Sequence, residues 1–248
     1  MKKLLVIFSA FQFAVFTLLL SSAAGCTKGK SAIMPLPIIP PDTASLPSGA
    51  SYKYLALGDS YTIGAGVKEN ERFPYLITEL LNKQKITVKD LKYIAQSGWT
   101  TISLQSAIKS AEPLATFDIV TLLIGVNDQY QQLDTEGYRL RFTELLDKAI
   151  QLAGNKKSHV FVLSIPDYGA TPFGSSSKER IGEEIDTFNK INKEVTVLSG
   201  ISYIDITSIT RQVATDPTLL ADDGLHYSAK EHNLWASEVV PFITRNLK

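Results

Sequence analysis

Ser60 sits in Leu55-Ala56-Leu57-Gly58-Asp59-Ser60-Tyr61, where a short apolar run stops abruptly at a glycine. Tyr54 to Leu57 reads as a buried strand, and a Gly-rich loop through Gly64-Ala65-Gly66 precedes the first helical periodicity. A serine at such a switch holds its hydroxyl at the carboxyl edge of the sheet, where open α/β folds receive ligands. A serine hydroxyl is a poor nucleophile at neutral pH and needs a base within hydrogen-bond reach. The chain offers three histidines. His159 begins a predicted strand and His232 falls inside the last predicted helix, positions that suit structural roles. His226 lies in a loop, in Asp223-Gly224-Leu225-His226. A carboxylate three residues earlier can hold Nδ1–H and leave Nε2 facing Ser60. Asp222 is the alternative partner, and spacing favours Asp223.

Acyl transfer through a serine also needs donors aimed at the oxyanion of the tetrahedral intermediate. The backbone N–H groups of Ser60 and of Gly98, in Gln96-Ser97-Gly98, can donate. So can the side-chain amide of Asn127, in Gly125-Val126-Asn127-Asp128. Gly98 carries no Cβ to obstruct approach to its N–H. Asp59 fits a role in organising the turn. Tyr130, Tyr168 and Phe173 follow strands in loops and suit either an acyl or sugar pocket or plain packing.

The elements that must bring these residues together follow from periodicity. Strands are expected at Tyr54–Leu57, Ile86–Ala95, Phe117–Ile124, Val160–Ile165 and Ile201–Ile206. Helices are expected at Phe73–Lys83, Thr101–Leu114, Thr135–Ala153 and Lys178–Leu198, with a last one after Ser228. Ser176 with Glu179, and Ser228 with Glu231, have the spacing of capping boxes, and Pro241 should kink or end the last helix. Five alternations of strand and helix imply one three-layer α/β/α domain around a mostly parallel five-stranded sheet, from about residue 51 to 248. Ser60, Gly98 and Asn127 follow the first, second and third strands. His226 precedes the last helix, so topology sends all four to one sheet edge.

Gly58-Asp59-Ser60, Gly98, Gly125-Val126-Asn127-Asp128 and Asp223-Gly224-Leu225-His226 together resemble, in order, the four motifs of the SGNH, or GDSL, hydrolases. The resemblance spans essentially residues 53–245. It implies a flavodoxin-like fold and a cofactor-free, metal-free ester hydrolase. It also implies that Ser60 is the nucleophile, that Gly98 and Asn127 complete the oxyanion hole, and that Asp223 and His226 complete the triad. Tyr61 stands where the motif name has Leu. Relatives of this kind act on lysophospholipids, acyl thioesters and acetylated polysaccharide sugars, so the expected substrate is an O-acyl ester, carbohydrate-linked or lipid-linked. The competing reading is a non-catalytic envelope lipoprotein that binds glycan or lipid in the same cleft, although binding alone needs no Ser–His–Asp set.

Other classes are excluded by what the chain lacks. No third glycine follows Gly64-Ala65-Gly66 at dinucleotide-loop spacing. Thr62 replaces the last glycine of the esterase elbow Gly-x-Ser-x-Gly. With 25 basic and 25 acidic side chains and no basic cluster, the chain has no electrostatic footprint for nucleic acid. A single cysteine, Cys26, allows neither an internal disulfide nor a cysteine metal cluster. Lys2 and Lys3, the apolar run Leu4 to Leu20 and the small residues Ser21 to Gly25 have the layout of an export signal over residues 1–25. The alternatives are an ordinary signal peptide or an uncleaved membrane anchor, since the run approaches bilayer-spanning length. Ala23-Ala24-Gly25-Cys26 resembles the lipobox of bacterial lipoproteins, which implies lipidation of Cys26. Residues 27–50, with Pro35, Pro37, Pro40, Pro41 and Pro47, read as a tether to a membrane. The expected location is the cell envelope.

Overall fold

The computed structural model describes residues 51–112 and 114–247; the export signal, Cys26 and the tether lie outside the described residues. Five strands form one sheet: β1 (Ser51–Gly58), β2 (Thr87–Ala95), β3 (Ile119–Leu123), β4 (Val160–Leu163) and β5 (Ser202–Ile204). Their order is β2-β1-β3-β4-β5, and all four pairings are parallel. Sequence order reverses beside β1, which leaves a crevice at the carboxyl ends of β1 and β3.

Eight α-helices surround the sheet among the described residues: α1 (Ser60–Ile63), α2 (Phe73–Lys83), α3 (Thr101–Ser110), α4 (Val126–Tyr130), α5 (Thr135–Leu152), α6 (Lys178–Leu198), α7 (Thr207–Thr210) and α8 (Ala229–Asn246). α2 and α8 pack together on one face, while α3, α5 and α6 pack in a row on the other. β3 and β4 are therefore covered on both faces. Every residue of Ile119–Leu123 and Val160–Leu163 is buried, as their unbroken apolar runs require. β2 is an edge strand and carries the charged Lys89, Asp90 and Lys92, charges that discourage edge-to-edge pairing.

Two local expectations, the capping boxes, fail for identifiable reasons. α6 begins at Lys178, and Ser175–Ser177 form a separate 3₁₀ turn, so Ser176 is out of register to cap the helix with Glu179. Ser228 makes no side-chain cap on α8, because its hydroxyl donates to the Thr218 carbonyl at 2.7 Å. Glu231 instead accepts from Nε1 of the fully buried Trp235 at 2.8 Å, since a buried indole N–H needs an acceptor. Pro241 does not end α8, which continues to Asn246.

Candidate active site

β1 ends where Gly58 passes the third strand so closely that a Cβ would lie 2.3 Å from the Leu123 carbonyl oxygen and 2.1 Å from Thr62 Oγ1. Only glycine fits there. The chain then enters α1, a single turn that sequence reasoning reads as loop, with Ser60 as its first residue. Asp59 caps this turn, its Oδ1 accepting from the Tyr61 N–H at 3.0 Å. Burial, opposed by that bond and reinforced by the nearby Asp128 charge, pushes the Asp59 carboxyl up to about 8.

Ser60, Gly98, Asn127 and His226 line one cleft of about 230 Å³, with Tyr61, Ser97, Val126, Tyr130, Tyr168, Phe173 and Leu225 completing its wall. Three sheet-end segments and the loop before α8 thus meet, as the parallel topology requires. His226 Nδ1 is 2.6 Å from Asp223 Oδ2, while Asp223 Oδ1 accepts from the backbone N–H of Leu225 at 3.0 Å and of His226 at 2.8 Å. Burial works to raise the Asp223 pKa, but the His226 ring and these two N–H groups outweigh it and hold the carboxyl below its ordinary value. A carboxylate on Nδ1 fixes the tautomer that leaves Nε2 as the acceptor. Asp223 rather than Asp222 makes this contact. No hydrogen bond joins Ser60 Oγ to His226 among the described residues, a looseness usual before substrate binds. Tyr61 packs edge-on against the imidazole, with ring centroids 5.8 Å apart.

Also in the cleft lining, Gly98 has φ +82°, a left-handed conformation that an L side chain rarely adopts. A Cβ there would meet no protein atom within 4 Å, so the backbone conformation demands glycine rather than any crowding. The backbone N–H groups of Ser60 and Gly98 donate to no protein acceptor among the described residues. Asn127, on the one-turn helix α4, spends one amide hydrogen on the Trp99 carbonyl at 2.9 Å and keeps a second. This wall can therefore supply three donors to a developing oxyanion. Tyr130, Tyr168 and Phe173 form a triangle at the cleft, with ring centroids 6.1 to 6.3 Å apart.

The other two histidines are elsewhere engaged. His232 is buried in α8, and its Nδ1 accepts from the Phe73 N–H at the start of α2 at 3.1 Å. Burial, with the neighbouring His226 and Arg72, pushes its pKa down to about 3. His159 lies just before β4. The described residues contain no cluster of three or more His, Cys, Asp or Glu side chains suited to a metal ion.

Sequence reasoning missed one feature. Asp128, wholly buried beside Asn127, accepts from Thr101 N at 2.8 Å and from Thr101 Oγ1 at 2.5 Å. Its place within Gly125-Val126-Asn127-Asp128 was visible, but its partner 27 residues upstream was not.

The architecture recurs in solved structures. A lipase/acylhydrolase from Enterococcus faecalis shares 22% identity at a TM-score of 0.63, over 79% of this chain and 97% of that one. The acetyl xylan esterase AlAXEase shares 20% at 0.61, over 75% and 97%. Phospholipase A1 from Streptomyces albidoflavus NA297 shares 19% at 0.59, over 79% and 100%. At such identities the likeness concerns the fold. No curated protein matches the chain in sequence. Fold and cleft define a three-layer α/β hydrolase with its serine at the end of the first strand. Within that class the chain belongs to the GDSL-like Lipase/Acylhydrolase family, whose model matches residues 56–234, and it is an ester hydrolase.

Proposed function

We propose that the protein hydrolyses short, uncharged O-acyl esters through an acyl-Ser60 intermediate. His226 Nε2 removes the Ser60 proton as Oγ attacks the carbonyl carbon, then gives that proton to the leaving alkoxide. Water, deprotonated by the same nitrogen, attacks the acyl carbon, and the proton returns to Oγ as the acid departs. Asp223 holds the imidazole and stabilises its charged form. Ser60 N–H, Gly98 N–H and the free Asn127 amide hydrogen face the oxyanion in both halves.

The observation that carries this reading is the Asp223–His226 pair opening onto the same cleft as Ser60 and the free donors. The substrate class rests on the wall. Apart from His226, no basic or acidic side chain lines this small cleft among the described residues, and Tyr61, Tyr130, Tyr168 and Phe173 give it an aromatic part. Such a wall suits an acetyl or other short acyl group on a neutral alcohol such as a sugar, and offers nothing to a lysophospholipid phosphate. The export signal and Cys26 support an enzyme tethered to the envelope by lipid. Cys26→Ser should then abolish incorporation of labelled palmitate in the producing cells.

The test uses p-nitrophenyl acetate and a fluorophosphonate probe. Ser60→Ala should lower turnover by about 10⁶-fold, by analogy with serine protease triads, and should abolish labelling. Retained turnover in that variant, or no labelling of the unaltered protein, overturns the reading; the second outcome is that of a cleft that only binds. Activity that grows from acetyl to palmitoyl esters would overturn the assignment of a short acyl group.

A further inference from the structure

We propose that Asp128, acting with Thr101 and Arg141, is a positioning residue that sets the Gly98 N–H and the Asn127 amide at one fixed separation, so that both serve a single oxyanion. The inference rests on the reading of this cleft as an oxyanion site. Gly98 and Asn127 come from different segments, the loop after β2 and the turn after β3. Preorganised donors must hold their geometry to within about 0.5 Å, and sheet pairing alone does not fix loops that closely.

Two consecutive residues of α4 clamp the Gly98 loop on its downstream side. Asn127 Nδ2 donates to the Trp99 carbonyl at 2.9 Å, immediately after Gly98. Asp128 takes Thr101 N on Oδ2 at 2.8 Å and Thr101 Oγ1 on Oδ1 at 2.5 Å, two residues further on. Having given its hydrogen to Asp128, Thr101 Oγ1 accepts from Arg141 Nε on α5 at 2.8 Å. Arg141 Nη2 closes the ring on Asp128 Oδ1 at 3.4 Å. Three elements are thereby joined by charge-assisted bonds around a carboxylate with no exposed surface. A fully satisfied buried network of this kind selects one arrangement over near alternatives. Asn127 is thus held through the residue beside it, and its spare hydrogen is aimed by a frame it shares with Gly98.

The decisive variants are Thr101→Val, which keeps the shape and the backbone N–H but deletes the hydroxyl, and Thr101→Ser, which restores it. With p-nitrophenyl acetate, Thr101→Val should lose about tenfold in kcat while KM stays within about twofold, because a slightly misplaced donor weakens only transition-state binding. Labelling of Ser60 by the fluorophosphonate probe should slow in parallel, and Thr101→Ser should recover both. Asp128→Asn, which puts an amide in the path of Arg141, should lose about 10²-fold in kcat if it folds. If it does not fold, the Thr101 pair still decides. A Thr101→Val protein with unchanged kcat and labelling, even one that melts earlier, reduces the network to a structural staple and overturns the proposal. Failure of the unaltered protein to label at Ser60 is a different result, and defeats the underlying reading instead.

Discussion

The two walls of the cleft are held by opposite means. On the acid–base wall, Asp223 and His226 are three residues apart and joined by contacts within their own turn. That turn is partly open, with the Asp223 side chain 42% exposed and His226 17%. On the donor wall, Asn127 and the Trp99–Thr101 segment that follows Gly98 are tied to partners 27 to 40 residues away, around an Asp128 side chain with no exposure at all. In the proposed mechanism His226 is a base that must swing between serine, leaving group and water, and such a group tolerates a local, solvent-lapped mounting. Donors that act by being in place beforehand need a buried frame.

The largest effect after loss of the serine should come from cutting the acid–base pair. Asp223→Asn should lower kcat by about 10³–10⁴-fold with little change in KM, since an amide favours the wrong tautomer. A loss under about tenfold would mean that the two backbone N–H groups and Tyr61 orient the imidazole without the carboxylate, and that this wall is stiffer than its exposure suggests. Asn127→Ala should cost on the order of 10²–10³-fold in kcat, as for other single oxyanion donors. Were its effect no larger than that of Thr101→Val, the frame rather than the amide itself would be the important part.

The smallest test concerns stability at the base of the two walls. Asp59 is raised by burial from its ordinary 3.8 to about 8 in the folded protein. The folded state therefore keeps a proton that the unfolded chain has lost between roughly pH 4 and 8, and stability falls as pH rises through that window. His232 acts oppositely: lowered by burial from 6.5 to about 3, it makes stability fall as pH drops from about 6.5 toward 3. Asp59→Asn, which keeps an acceptor for the Tyr61 N–H, should flatten the first slope and leave the second. Urea unfolding at several pH values reads both, and an unchanged slope in Asp59→Asn would mean that this carboxyl is ionised when folded.

What could be read in advance follows the same division. Phe73–Lys83 and Lys178–Leu198 were legible to the residue because their apolar periodicity is local. Strand ends were not, and Ile201–Ile206 shrank to Ser202–Ile204, because pairing partners decide where a ladder stops. The capping box at Ser228 failed where tertiary demand prevailed: Glu231 went to the indole of Trp235, and Ser228 to the Thr218 carbonyl. The one-turn helices carrying Ser60 and Asn127 were hidden because four or five residues give no period to detect.

The sequence by itself determined the order of strands and helices, the candidate serine, histidine and aspartate, and the tight Asp223–His226 turn. Each of these is written in patterns a few residues long. Only the tertiary structure decided that Asn127 and Asp128 are bonded to the segment that follows Gly98, and that Asp128, Thr101 and Arg141 form one network. Hydrogen bonds between residues so far apart in the chain exist only once the sheet has brought their segments into contact.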